Sequence, residues 1–250
     1  MNRQQQQFKS LSMWLISLSF SLYMVLLSTL AAALELESYP LDTLDKTTAQ
    51  GVKAEVVDYH GQKGIHVAVS PDHKSAEQGG CDHCTYLALE TIPFRDGTIE
   101  INMAGEPQQG ADSDAAAIST SNGFVGIVFR VSEDLSKYEG VYFRPVNAVS
   151  EDEAQREMTV QYFSYPDHTA ESLRESDPGK YESAANIRPG QWFNLKAEIN
   201  NNQAIFYIDG EKVLVVDRLF HGSEHKGVIG FITEPGNDAY FSNLQIKHSQ

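Results

Sequence analysis

The stretch GQWFNLKAEINNNQAIFYIDGEKVLVVD (190–217) decides the fold. It holds three short runs rich in Val, Ile, Phe and Tyr: WFNLKAEIN (192–200), QAIFYID (203–209) and KVLVVD (212–217). Asn200-Asn201-Asn202 and Asp209-Gly210 separate them, and both are tight-turn chemistry, so the stretch reads as a three-stranded meander. Nine more runs of the same kind lie outside it. They are 54–60, 64–70, 85–92, 97–104, 123–131, 138–145, 159–165, 227–233 and 239–247, bounded by Gly, Pro, Asn, Asp or Ser. No segment sustains a 3.6-residue period, although Glu151–Arg156 and Ala170–Glu175 are each suited to a helical turn. Twelve strands without interposed helices predict an all-β sandwich or barrel and exclude a parallel α/β sheet. In the last run Phe241 falls on the opposite parity from Leu244 and Ile246. A bulge near Ser242 would turn all three inward.

The first 33 residues are of a different kind. Arg3 and Lys9 precede a largely apolar Leu11–Leu30, and Ala31-Ala32-Ala33 supplies the small residues of an export-peptidase site. This is a secretory signal, expected to be cut after Ala33, and it places the protein outside the cell or in a periplasm. Its apolar stretch of about 20 residues would span a bilayer if kept. Residues 34–250 are expected to form one domain. Lys and Arg number 19 against 34 Asp and Glu, a net charge of −15. Removing residues 1–33, which hold two bases and no acid, makes it −17. Nucleic acid and anionic membrane surfaces need a basic footprint, so neither is expected as the main partner. Cys81 and Cys84 in GGCDHCTY are expected to close a small disulfide after export. A zinc site would need two further ligands, and a redox pair would need a helix N-terminus that the surrounding sequence does not provide.

The stretch 190–217 together with KGVIGFITEPGNDAYFSNLQIK (226–247) resembles the closing half of the concanavalin A-like lectin/glucanase jelly rolls. The shared features are the hairpin into Tyr-Ile-Asp-Gly, the Gly-x-Ile-Gly-Phe strand and the closing aromatic-Ser-Asn-Leu-x-Ile strand. GIVFR (126–130) and VYFRP (141–145) are similar to the centre of the secreted bacterial 3-keto-disaccharide hydrolase-type domains. The resemblance implies a sandwich of two antiparallel sheets that engages a carbohydrate on its concave sheet.

Alternation proposes that face. Arg130 is expected beside Val128, Tyr142 and Arg144 beside Tyr138, and Glu100 and Asn102 opposite Ile99 and Ile101. For 159–165 either Gln161, Phe163 and Tyr165 or Val160, Tyr162 and Ser164 face out. The candidate carbohydrate-binding residues are Asn102, Arg130, Tyr142, Arg144, Asn147, Gln161, Tyr162 and Tyr165. Tyrosine rings suit sugar C–H faces, and Arg, Asn and Gln donate to hydroxyls. The competing reading pairs the arginines on a solvated sheet.

Glu100 and His168 are the candidate catalytic residues, and whether the chain is an enzyme stays open. Laminarinase-type members carry Glu-x-Asp-x-x-Glu on one strand, and here Glu100-x-Asn102 lacks the other two acids. Arg130, Arg144, Tyr142 and His168 offer residue types for β-elimination, without a lyase motif. The segment 161–183 reads either as a cleft rim or as a flap packing its own aromatics. No cofactor is expected. A structural calcium ion would use Asp112 and Asp114, or Asn237 and Asp238. The other functional class is a laminin-G-like protein-interaction module.

Overall fold

A computed structural model describes residues 36–74, 85–109, 121–134 and 136–249. The expected signal segment, Cys81 and Cys84, and Asp112 and Asp114 lie outside them. Among the described residues fifteen strands form. They are β1 (Glu37–Tyr39), β2 (Thr47–Gln50), β3 (Val52–Tyr59), β4 (Gln62–Val69), β5 (Tyr86–Phe94), β6 (Gly97–Pro107), β7 (Val125–Val131) and β8 (Tyr138–Phe143). Then come β9 (Val160–Tyr165), β10 (Glu182–Ser183), β11 (Phe193–Asn200), β12 (Gln203–Ile208), β13 (Glu211–Val216), β14 (Gly227–Ile232) and β15 (Asn237–His248). Three short helices, α1 (Pro145–Ala148), α2 (Glu153–Glu157) and α3 (Ala170–Ser176), fill the connections around β9. No described helix is long and apolar enough to cross a membrane.

The strands make two antiparallel sheets. One has eight strands, ordered β13-β12-β11-β6-β15-β4-β3, with β1 beside the far half of β15. The other has seven, ordered β10-β9-β8-β7-β14-β5-β2. The meander is β11-β12-β13, and Asp209 and Gly210 take the positive φ of its second turn, 50° and 83°.

Each sheet turns one parity of its strands into a shared core. Ile99, Ile101 and Met103 of β6 and Phe241, Leu244 and Ile246 of β15 meet Ile127 and Phe129 of β7, Val141 and Phe143 of β8 and Phe231 of β14. Phe231 and Phe241 stack across the gap with ring centroids 4.2 Å apart. Phe241 and Leu244 share the inward side because the ladder to β6 shifts register between Ser242 and Gln245, with Asn243 at φ 54°. That is the expected bulge.

A second bulge overturns the placement of Arg130. Val131 and Val128 of β7 pair with Val228 and Gly230 of β14, so Phe129 and Arg130 oppose Ile229 alone, and Arg130 takes φ 55°. The extra residue rotates Arg130 off the outward parity, which Val128 and Val131 keep. Arg130 lies wholly buried. Its Nη2 is 3.0 Å from Asp96 Oδ1 and its Nη1 is 3.3 Å from Glu139 Oε2. Its remaining donors reach the carbonyls of Arg95, Gly222 and Asn201. It joins the ends of β5, β7 and β8 to the 201 and 222 turns and is absent from the open face.

Candidate functional site

The outer face of the seven-stranded sheet is aromatic. Tyr138 and Tyr142 of β8 project from it beside Phe163 and Tyr165 of β9, with Phe124 just ahead of β7. Phe124 stacks on Tyr142 at 4.3 Å and Tyr138 on Tyr165 at 5.1 Å, while Phe163 meets Tyr138 and Tyr142 at 5.9 and 5.7 Å. Gly126 and Gly140 leave the room these rings fill. A Cβ on Gly140 would lie 2.7 Å from Phe163 Cε1, and one on Gly126 would lie 2.7 Å from Tyr142 Cβ.

These rings floor a hollow on that face with about 50 Å³ of free space inside it. Its walls are Thr85, Ile232, Thr233 and Glu234 on one side and Thr169, Ala170 and Glu171 on the other. Local hydrogen bonding explains both walls. Thr169 caps α3, accepting from the Ser172 N–H, and so fixes Glu171 in the first turn. Asn237 Oδ1 accepts from the Gly123 and Phe124 N–H groups at 2.7 and 2.9 Å, and its Nδ2 donates to the Glu234 and Pro235 carbonyls. Asn237 therefore ties the Glu234 turn to Phe124. Its amide is committed to that task and Asp238 binds His66, so neither stands free as the calcium ligand the sequence suggested.

The titrations follow from the surroundings. Burial pushes the Tyr138 and Tyr142 hydroxyls well above the ordinary tyrosine range, so both stay neutral. Glu234 is open to solvent at the surface of the concavity, yet protein surrounds it on most sides. That desolvation raises its pKa, Arg144 pulls it down and Glu171 pushes it up again. Arg144 lies over the Tyr142 ring, its guanidinium carbon 4.7 Å from the centroid, and donates to the Tyr142 hydroxyl and the Met158 carbonyl.

Of the residues expected at the site, the structure brings Tyr142 and Tyr165 into the hollow, with Arg144 beside it. The others lie elsewhere. Glu100 and Asn102 stand on the outer face of the other sheet, with the core between, and Asn102 bonds to Gln62 and Asn194. Tyr162 takes the inward parity of β9 and donates to Glu139 at 3.0 Å. Gln161 points outward but is buried, holding the Tyr162 and Tyr181 carbonyls and accepting from Arg174. Asn147 sits in α1, where its carbonyl accepts from the Ser150 N–H, and does not line the hollow. His168 stacks on Phe220 at 3.7 Å, also away from the lining. The segment 161–183 supplies one wall and part of the floor through Phe163, Tyr165 and Glu171, while Tyr181 turns into the core. Phe124, Glu171 and Glu234 were not singled out from the sequence. Glu234 sits in a sequence that reads as an ordinary turn, and the parities shared by Tyr138 with Tyr142 and by Phe163 with Tyr165 pointed towards this floor.

No family model and no curated protein sequence matches the chain. Solved structures do. A protein of unknown function from Bacillus subtilis with a galectin-like fold superposes with a TM-score of 0.53 at 12% identity, over 85% of this chain and 94% of that one. The fold is a concanavalin A-like jelly roll. Two further structures similar to this jelly roll fall below a TM-score of 0.5. A carbohydrate-binding module from Bacillus subtilis gives 0.48 at 15% identity, over 79% of this chain and 95% of that one. A Bacillus licheniformis β-glucanase gives 0.44 at 11% identity, over 86% and 98%. At these identities what the concanavalin A-like sandwich shares with them is its fold, and function has to be argued from the site.

Proposed function

We propose that this is a secreted carbohydrate-binding domain whose site is the hollow on the outer face of the seven-stranded sheet. The observation that carries the reading is the ring floor of Phe124, Tyr138, Tyr142, Phe163 and Tyr165, of which Tyr165 keeps the most exposure, rimmed by hydroxyls and carboxylates. Flat rings receive the C–H faces of a sugar, and Thr, Tyr and Glu oxygens accept from its hydroxyls. The signal-like residues 1–33 support export.

The test is a glycan array probed with the protein expressed from its full sequence, run beside a Tyr165→Ala variant. Selective binding that falls roughly two- to twelvefold in Tyr165→Ala is the expected result, taking an aromatic contact as contributing about 0.5 to 1.5 kcal/mol. An array without a ligand would overturn the carbohydrate reading and leave the interaction module ahead.

A further inference from the structure

We infer that the guest of this hollow is a cationic sugar, an amino sugar with its amine free. The inference rests on the carbohydrate reading and narrows it. Two carboxylates, Glu171 and Glu234, line one aromatic hollow, and among the described residues neither carboxyl has a hydrogen-bond or salt-bridge partner. Both acids are exposed at the rim of the hollow, whereas the more enclosed Asp96 and Glu139 pair with Arg130, Glu182 with Arg174, and Asp238 with His66. Two unpaired acids facing each other across a cavity repel, which adds to the rise in the Glu234 pKa. A guest carrying positive charge between them would relieve that repulsion.

The floor suits the same guest. An ammonium group is drawn to the faces of tyrosine and phenylalanine rings, more strongly where water is partly excluded. Arg144 uses this attraction over Tyr142 at the edge of the hollow. The positive groups nearby do not cancel the field. Arg174 is engaged by Glu182 and Gln161, which leaves Arg144 as the nearby counter-charge to two carboxylates. The net charge of −15 attracts the same guest at longer range. A free amine on a pyranose ring combines both recognitions, with its C–H face on the rings and its ammonium between the acids.

Calorimetry at pH 7 on the protein expressed from its full sequence tests this with four probes: a glucosamine tetrasaccharide, its fully N-acetylated counterpart, cellotetraose and tetramethylammonium. The expected result is at least tenfold tighter binding of the glucosamine oligomer than of either neutral oligomer. Glu171→Gln and Glu234→Gln should each remove most of that preference, and raising the salt should weaken it. Both substitutions are isosteric and at exposed positions, and thermal melts check that the variants fold. Equal affinity for charged and neutral oligomers would overturn the amine inference and leave the carbohydrate reading standing. A preference that survives both substitutions would also overturn it, as would tetramethylammonium binding as tightly as the sugar. Failure of every oligosaccharide to bind would defeat both readings.

Discussion

Arg130 uses all five of its N–H donors inside the protein, on Asp96, Glu139 and three backbone carbonyls. Asp96 also accepts from the Asn201 N–H, and Glu139 also accepts from Tyr162 and the His221 N–H. Asp96 keeps the Arg95 Nε–H as a further partner, whereas Arg130 is the one cation on Glu139. Arg130→Ala would leave Glu139 without a cation in the interior and Asp96 with Arg95 alone, and urea unfolding should show a loss of about 3–5 kcal/mol. A loss under about 1 kcal/mol would mean that water takes the place of the guanidinium. His66 is the counterpart on the opposite face. Its ring lies between Glu55 at 3.2 Å and Asp238 at 2.8 Å and stacks on Tyr240. Burial on its own would lower the His66 pKa, but the two carboxylates together outweigh it and the net shift is upward. A folded-state pKa above the unfolded value means that protonated His66 favours the folded state. That stability is full below the ordinary histidine pKa of about 6.5 and is lost as the pH rises through the folded value. The Tm difference between the natural protein and a His66→Gln variant should therefore shrink between pH 6 and pH 8. A difference that stays constant over this range would show that the ring acts by packing alone.

Among the elements, the pair β8–β9 carries the site. Its outward residues are large where Gly140 is small, so Phe163 settles over the glycine. Gly140→Ala would force Phe163 towards the hollow at a cost of about 1–3 kcal/mol. Glycan affinity and thermal stability should fall together in that variant. All twelve strands expected from the sequence are present, because each combines β-branched or aromatic residues with turn chemistry at both ends. The strands that escaped notice, β1, β2 and β10, are three, four and two residues long and read ESY, TTAQ and ES. They exist by pairing with a neighbour already in place, which leaves no trace in their own composition. The two bulges show the same limit. Near Ser242 a break in apolar parity announces one, and Asn243 tolerates the left-handed turn. At Arg130 no such break is visible, because Val128, Phe129 and Val131 all find apolar surroundings on one side or the other. Counting by twos then carries Arg130 to the wrong face.

At the scale of the whole molecule, alternation tells whether a side chain faces in or out but not which sheet it belongs to. Glu100 and Asn102 were expected beside Tyr142 and Arg144 for this reason, and the strand order places them on opposite sides of the sandwich. Tyr142 and Tyr165 were legible because a tyrosine on an outward parity needs somewhere flat to lie. Glu171 and Glu234 were not, since they reach the hollow from a helix cap and a turn more than 60 residues apart in the chain. Their meeting depends on Asn237 and Thr169, polar residues that composition alone cannot separate from ordinary loop. The pairing of β1 with β15 has a practical side as well. Glu37 lies opposite Ile246, so the first and last strands leave the body from one seam of the eight-stranded sheet. A bead, a tag or a neighbouring domain joined just before Glu37 or just after His248 would grip the molecule by the same handle, on the sheet that lies behind the rings.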